Sequence, residues 1–437
     1  MCEGASGGTH ENNQPWCEEL SLCQEQTVVS GGARRAAVVS VALHCEEHRS
    51  CHRANRFVRH EHQQAMTMAL PFPISRRALS ILLCVAAADC ATTGVATTAG
   101  STAGPGTVAR DAIWPTSTRE HVDLWLHGYA LLTGDTARVP FFRRGYRQQM
   151  RETRRSRSVY TQLDANADKL SARFLANPSL VNGQFMPFYF SSFQRIQQVT
   201  DLFLQTGGNP NATDSPEMRQ LFGVLNNTFG SPADRDWLRL FVQCLEDENN
   251  RFYQTYWTNE QATRAAIRQS VDSLWQRVYR LKLQRFLNNT QQGNGELMLS
   301  LPLDGEGRTI SYSPQQNSVA VGFPDSPGAA IEAVYVFAHE TVNAIATTAI
   351  NDNITPTEQR NGTAARYSAN ATVRSGAILL QRAAPEIASG YMRFYLRSAG
   401  VTPPPGDPVA LFTATFSIPD AIRDAVTRQI EVVLGGI

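Results

Sequence analysis

The chain has 437 residues, of which 42% are hydrophobic and 18% are charged, so it is long enough to bury at least one sizeable core. The formal net charge of +1 excludes an overall field that would attract nucleic acid or an anionic membrane. Two of the 40 basic residues are lysine and the rest are arginine, a bias typical of GC-rich bacterial genomes.

The first 65 residues hold five of the eight cysteines and six of the nine histidines. We interpret residues 1–65 as a disordered extension upstream of the true start. A small metal-binding module is the alternative, although the cysteine spacings are not those of zinc fingers. Residues 66–90 have the parts of a signal peptide: two arginines, then an 11-residue apolar run that ends in small residues at Ala88. An apolar run of this length is too short to span a bilayer.

Cys90 follows the apolar run and precedes residues 91–110, which are rich in Ala, Thr, Gly and Ser and are predicted to be a flexible linker. A cysteine in this place resembles the lipidated cysteine of bacterial lipoproteins, although Asp89 replaces the small neutral residue expected before it. Cleavage after Ala88 is the alternative. Both interpretations predict an exported protein, either periplasmic or anchored in the cell envelope by lipid on Cys90.

Residues 111–290 show helical periodicity with almost no strand pattern, so we predict a helical domain. Ser117 and Glu120 have the spacing of a capping box, which predicts that a helix begins there. Ser231, followed by Pro232, predicts a second helix start. The run that follows continues towards residue 290, with a break predicted near Trp257.

Asp123 and His127 lie on the first predicted helix. Because they are four residues apart, their side chains are expected on one face of that helix. This spacing suits either a pair of metal ligands or a hydrogen bond between the two side chains. His127 is of interest because only three histidines follow residue 65.

Seven arginines lie between residues 143 and 157, where Glu152 is the single acidic residue. Such a run could contact nucleic acid or anionic lipid headgroups. Arginine runs on helices are more often solvated faces, and an exported protein rarely meets nucleic acid. We therefore expect no nucleic-acid partner.

Residues 291–437 begin with β-rich runs and end in helices. Turn residues separate Leu297–Leu301, Arg308–Ser313 and Ser318–Phe323, so these runs predict an antiparallel meander. Helical patterns follow over about 356–383, over about 386–398 and after Pro419. Together with the first half, this order predicts an α+β protein that is mostly α, with a helical N-terminal array, a small antiparallel sheet and a helical C-terminal part.

A helix predicted over residues 328–351 carries the segment His339-Glu340-Thr-Val-Asn343. In a His-Glu-x-x-His helix, two imidazoles one turn apart bind Zn²⁺ and the glutamate is the general base. Here the second imidazole is replaced by Asn343, whose amide is a poorer zinc ligand. Glu332, Tyr335, His339 and Asn343 form one polar stripe, which either faces a cleft or is satisfied by a closed hydrogen-bond network.

Strands upstream, a His-Glu helix and helices downstream are also the order of elements in zincins. Residues 295–385 therefore resemble a zincin-like metallopeptidase domain of the gluzincin type. The resemblance implies hydrolysis of a peptide or protein substrate by zinc-activated water, with His339 as a ligand, Glu340 as the general base and Asn343 in the second ligand position. Further ligands would come from Asp123, His127, Glu358 or Glu386.

Two functions are compatible with this sequence. The first is an exported protein with a divergent zincin-like metallopeptidase domain, active or inactive. The second is a non-catalytic binding or structural module of the cell envelope, built on the same scaffold, in which His339 has a structural role and no cofactor is bound.

Overall fold

The computed structural model describes residues 113–134, 137–313 and 316–435. The predicted N-terminal extension, signal peptide, lipidated cysteine and linker lie outside the described residues, so those assignments stay predictions. The described chain is mostly helical and contains one small sheet. This confirms the predicted α+β, mostly α class.

The described chain before residue 290 is an array of helices, as its periodicity predicts. Between them lie 3₁₀ turns at Pro178–Tyr189 and Pro210–Ala212. The helices are Glu120–Leu132 (α1), Tyr146–Ser156 (α2), Gln162–Ala165 (α3), Ala167–Ala176 (α4), Phe193–Gln205 (α5), Pro216–Phe229 (α6), Pro232–Glu248 (α7), Gln254–Thr263 (α8), Ala265–Leu274 (α9) and Arg280–Asn289 (α10).

The predicted capping box at the start of α1 is wrong. Ser117 lies in a short strand, β1 (Thr116–Ser117), and its Oγ donates a hydrogen bond to Oε2 of Glu296 at 2.8 Å. Strand pairing holds the backbone of Ser117 extended and its hydroxyl away from the helix. As a result α1 begins at Glu120 without a side-chain cap.

The second predicted helix start is confirmed. The Ser231 hydroxyl accepts a hydrogen bond from the backbone N–H of Asp234 at 3.2 Å, and α7 begins at the next residue. The helical run then passes through two π turns, Asn249–Tyr253 and Trp275–Tyr279. It breaks at Arg264 rather than near Trp257 as predicted.

The strands β2 (Gly295–Ser300), β3 (Arg308–Ser313) and β4 (Gln316–Gly322) lie where the sequence predicts them. Their predicted antiparallel meander is wrong, because the sheet order is β1-β2-β4-β3 and β2 runs parallel to both β1 and β4. Only β3 and β4 are antiparallel. A run of three consecutive buried apolar residues from Leu297 to Leu299 suits a parallel strand that is covered on both faces.

The C-terminal helices differ from the predicted segments at two breaks. Val342 interrupts the helix that carries the polar stripe, and Gly362, with φ of +72°, divides the segment predicted over 356–383. Glycine adopts such a left-handed backbone without a steric penalty. The helices are Ile331–Thr341 (α11), Asn343–Asp352 (α12), Pro356–Arg360 (α13), Thr363–Ala383 (α14), Pro385–Ser398 (α15), Val409–Thr415 (α16) and Asp420–Val433 (α17).

Aromatic side chains join the helical array to the C-terminal helices. Phe337 of α11 packs against Trp114 and Trp275, with ring centroids 5.0 and 4.4 Å away. The Trp275 Nε1 donates a hydrogen bond to the Trp114 carbonyl at 2.9 Å. The segments before and after residue 290 therefore share one hydrophobic core. Within the described residues, none of the helices combines the length and apolar character that a bilayer crossing requires.

Candidate functional site

The His-Glu pair lies on the last turn of α11 and is buried. His339 is 5% exposed, its Nδ1 lies 3.1 Å from Oε1 of Glu340, and its ring stacks on Tyr395 at 5.2 Å between centroids. Asn343 begins α12, and its Oδ1 accepts a hydrogen bond from the Thr372 hydroxyl at 3.2 Å. Each member of the motif is held by a protein neighbour.

The break at Val342 separates the two predicted ligand positions. Its backbone, with φ of −90° and ψ of −6°, departs from regular α-helix and ends α11. His339 contacts Tyr395 on α15, whereas Asn343 is bonded to Thr372 on α14. The two side chains thus engage different helices.

The polar stripe on α11 is covered by α15. Glu332 forms an ion pair with Arg397 at 2.8 Å. The Tyr335 ring lies 5.9 Å from Tyr391 and 5.8 Å from Phe394, centroid to centroid. The middle of the stripe is thus packed against α15, while Glu332 and Arg397 remain partly exposed, at 30% and 51%.

Asp123 lies at the junction of the helical array and the sheet. Its carboxylate accepts hydrogen bonds from the Ser300 hydroxyl at 2.6 Å and from the Trp257 Nε1 at 3.0 Å. Burial raises the pKa of Asp123 to about 7, although these donors and the Leu301 N–H act in the opposite direction. Asp123 therefore serves as a buried acceptor that ties α1 to the end of β2.

His127 belongs to a different, fully buried network. Its Nε2 lies 3.0 Å from Oε1 of Glu248, and its Nδ1 lies 3.0 Å from the Tyr146 hydroxyl. Glu248 also accepts hydrogen bonds from Arg154 at 3.1 Å and from the Thr161 hydroxyl. The predicted hydrogen bond with Asp123 is not formed, because the polar atoms of both side chains are directed to other partners.

The protonation states of His127 and Glu248 are set by their burial and by the charge of Arg154. Burial lowers the pKa of His127, so the imidazole is neutral, donating through Nε2 to Glu248 and accepting at Nδ1. Burial alone would raise the pKa of Glu248, but hydrogen bonding by His127 and the charge of Arg154 lower it below its usual value. Arg154 and Glu248 thus form the charged pair, and His127 orients the carboxylate.

The other two predicted ligands are engaged at separate places. Glu358 closes a capping box, in which its carboxylate accepts from the Thr355 N–H at 2.8 Å. Glu386 forms an ion pair with Lys282. Among residues 113–134, 137–313 and 316–435, no three His, Cys, Asp or Glu side chains are grouped so as to hold a metal ion. The placed donor groups do not fit the zinc site that the resemblance implies, and zinc binding stays a prediction.

An arginine-lined cleft, which the sequence patterns did not predict, lies at the end of α2. The cleft has a volume of about 470 Å³. Arg154 forms its base and is fixed by a bidentate ion pair with Asp164, at 2.9 and 3.1 Å, and by Glu248. The residues that line the cleft are Arg151, Arg154, Arg155, Ser158, Val159, Tyr160 and Asp164.

Two sequence signals could have located this cleft. Arg147, Arg151 and Arg155 are spaced by four residues, so they form a like-charged stripe on one helix face. Thr161 and Asp164 have the spacing of a capping box, which indicates a helix start directly after the arginine run. Where an arginine-rich helix ends and a new helix begins a few residues later, the chain folds back on itself. A cleft can form between the two helices.

No protein-family model matches this sequence, and neither the search of curated proteins nor that of solved structures gives a significant match. The class of this protein is therefore defined by its architecture: a mostly helical α+β fold in which a helical array and a C-terminal helical part enclose a mixed sheet. Its function has to be inferred from its own residues.

We expect the contribution of His121 to stability to fall as the pH falls from about 6.5 to about 4, measured against a variant that lacks the imidazole. Burial lowers the pKa of His121 to about 4, so the unfolded chain binds a proton in this range that the native protein does not. A pKa shift from 6.5 to about 4 corresponds to a change of about 3 kcal/mol in the free energy of unfolding. Asp123 acts in the opposite direction, because its raised pKa lets the native state take up a proton first.

Urea unfolding at pH 7, 5.5 and 4 measures this effect, with His121→Gln as the comparison. Glutamine can still donate to the Phe190 carbonyl, which the His121 Nε2 contacts at 2.8 Å, but it does not titrate. The difference in unfolding free energy between wild type and variant should shift against the wild type as the pH falls. A difference that is constant with pH would contradict the assignment.

Proposed function

We propose that this chain is a non-catalytic binding or structural module of the bacterial cell envelope. Its His339 helix resembles that of a metallopeptidase but has a structural role. The proposal is supported by one observation above all: His339 and Glu340 are buried and contact each other and Tyr395, and the partly buried Asn343 accepts a hydrogen bond from Thr372. Packing of this kind stabilises α11 against α14 and α15 without a metal ion.

The placement in the cell envelope is supported by the sequence before the described residues. Residues 66–90 have the parts of a signal peptide, and Cys90 with the linker that follows it resembles the start of a lipoprotein. A lipid on Cys90 would tether the folded part to a membrane through residues 91–110.

Elemental analysis of the full-length protein, purified without chelators, tests the non-catalytic assignment. We expect the same zinc content in the wild type and in His339→Gln, since any zinc held by the cysteines and histidines of residues 1–65 is common to both. This variant removes the imidazole and keeps a polar side chain of comparable length. One equivalent of zinc in the wild type that is lost in His339→Gln would contradict the proposal and support the metallopeptidase assignment.

Asn343→His provides a second comparison, because it completes the His-Glu-x-x-His motif. We expect no gain of zinc, since residues 339 and 343 contact different helices across the break at Val342. Stoichiometric zinc in this variant would show that the two side chains can converge, and that the site differs from a zincin site by one residue only. Hydrolysis of a peptide mixture, measured with added zinc, gives an independent readout of both variants.

A further inference from the structure

The arginine-lined cleft contains a helix face that is unfavourable without a ligand. Arg147, Arg151 and Arg155 follow one another at single helical turns along α2. Like charges at this spacing destabilise a helix. No ion pair joins these three arginines to an acidic residue within the described parts of the chain. Burial lowers the pKa of Arg147, and the nearby charge of Arg151 acts in the same direction.

The base of the cleft is rigid and retains an unused donor. Arg154 is 3% exposed and is held by carboxylates from two other helices, Asp164 of α3 and Glu248 of α7. Its Nε is buried and has no hydrogen-bond partner within the described residues. Since both carboxylates are directed to the Arg154 terminal nitrogens, they leave the charges of Arg151 and Arg155 uncompensated.

The rim opposite the arginines adds a strained turn and an aromatic ring. Ser158 has a φ of +53°, a left-handed backbone that is uncommon for a residue other than glycine. Strained backbone of this kind is concentrated at ligand-binding sites. Tyr160 is 68% exposed, which is unusual for so large a ring and leaves its face open to a ligand.

From these observations we propose that the cleft is a binding site for a phosphate group, with Arg151 and Arg155 as its ligands and Arg154 as its buried base. Guanidinium groups bind phosphate oxygens in pairs, and a phosphate monoester with nearly two negative charges matches two uncompensated arginines. A carboxylate would balance only one of them. The cleft volume lies in the range of small-molecule sites, so the phosphate belongs to a larger molecule whose remainder contacts Tyr160.

This inference rests on the proposed function in one respect, since it supplies the ligand class of a binding module. Phosphate could come from a soluble phosphorylated compound or from an anionic lipid headgroup. Both sources present the same oxygens to the cleft. The zinc measurement concerns the His339 helix and is independent of the cleft, so the two proposals can fail separately.

Calorimetric titration of the full-length protein with inorganic pyrophosphate at low salt tests for the soluble source. Sedimentation with vesicles of phosphatidic acid, a phosphate monoester, in phosphatidylcholine, compared with phosphatidylcholine alone, tests for the lipid source. We expect binding in at least one of these assays and at least tenfold weaker binding by the double variant Arg151→Gln/Arg155→Gln. Both side chains are exposed, so the fold should be retained, which an unchanged thermal midpoint would verify.

Two further double variants separate a built site from general electrostatic attraction. Arg268→Gln/Arg277→Gln removes the same charge from exposed positions on another part of the chain and should bind like the wild type. Arg151→Lys/Arg155→Lys keeps the charge but loses the paired geometry of guanidinium, so it should bind several-fold more weakly. Wild-type affinity in the glutamine or lysine variant of the cleft would overturn the proposal. Absence of wild-type binding to pyrophosphate, together with no more binding to the anionic vesicles than to phosphatidylcholine alone, would also overturn it.

Discussion

Replacement of Glu248 by glutamine is expected to lower the free energy of unfolding by about 3 to 5 kcal/mol, the range found when one partner of a buried ion pair is removed. Glu248 is fully buried and compensates Arg154, which is itself almost inaccessible to solvent. Without this carboxylate, Arg154 keeps only Asp164. One of the two carboxylate oxygens would also be replaced by an NH₂ group. This group would face a hydrogen-bond donor of His127 or Thr161 and could not accept from it.

Urea unfolding at pH 7 measures the loss, with Glu246→Gln as the matched control. Glu246 lies on the same helix but is exposed, so its replacement should change stability by less than about 0.5 kcal/mol. The pKa of Glu248 is lowered from its usual 4.5, so its charge contributes stability above that pH and ceases to do so as the pH falls through the lowered value. The wild-type advantage should shrink below about pH 4.5. A loss under 1 kcal/mol at pH 7 would show that the pair is not buried as described.

Replacement of Phe337 by alanine is expected to destabilise the protein by a similar amount, about 3 to 5 kcal/mol. Phe337 is fully buried between Trp114 and Trp275. Its removal leaves a cavity between rigid aromatic rings that cannot collapse into the space. The effect should be large because this contact joins α11 to Trp114, just before β1, and to the second π turn.

Phe337→Leu should cause a smaller loss, since most of the side-chain volume is retained. Val432→Ala serves as the control, because Val432 is 53% exposed at the end of α17 and should contribute little. Equal unfolding free energies for Phe337→Ala and the wild type would mean that the two parts of the chain do not share a core. Thermal unfolding should remain a single transition in both Phe337 variants, because the shared core couples the two parts.

Local sequence patterns predicted the elements of this protein well. Ser231 and Pro232 marked a helix start that the structure contains, since an N-cap hydroxyl and the residues it bonds are neighbours in the chain. The strands from Leu297 and Arg308 were also found in place. Each of these patterns depends on contacts within a few residues, so its outcome does not require knowledge of the fold.

The errors arose where a distant partner competes with a local one. Ser117 and Glu120 have the spacing of a capping box, but Ser117 is bonded to Glu296 across the sheet. Asp123 and His127 have the spacing of a helical pair, but Asp123 is bonded to Ser300 and His127 to Glu248. The long-range bonds form in a buried environment for Asp123 and His127 and in a partly buried one for Ser117, where satisfying polar groups outweighs a weak surface interaction.

The sequence by itself determined the fold class of this protein, the positions of the strands β2 to β4 and of most C-terminal helices, and the residue types that could perform chemistry. The tertiary structure decided which of those residues meet. His339 and Asn343 were adjacent by spacing, yet the break at Val342 directs them to different helices. The arginine run by itself predicted only a solvated helix face. Because the chain folds back and Arg154 forms an ion pair with Asp164, the end of this run lines a cleft. The reason is that secondary structure follows from short-range backbone and side-chain preferences, whereas a site requires side chains far apart in the chain to satisfy one another's charge and hydrogen bonds on burial.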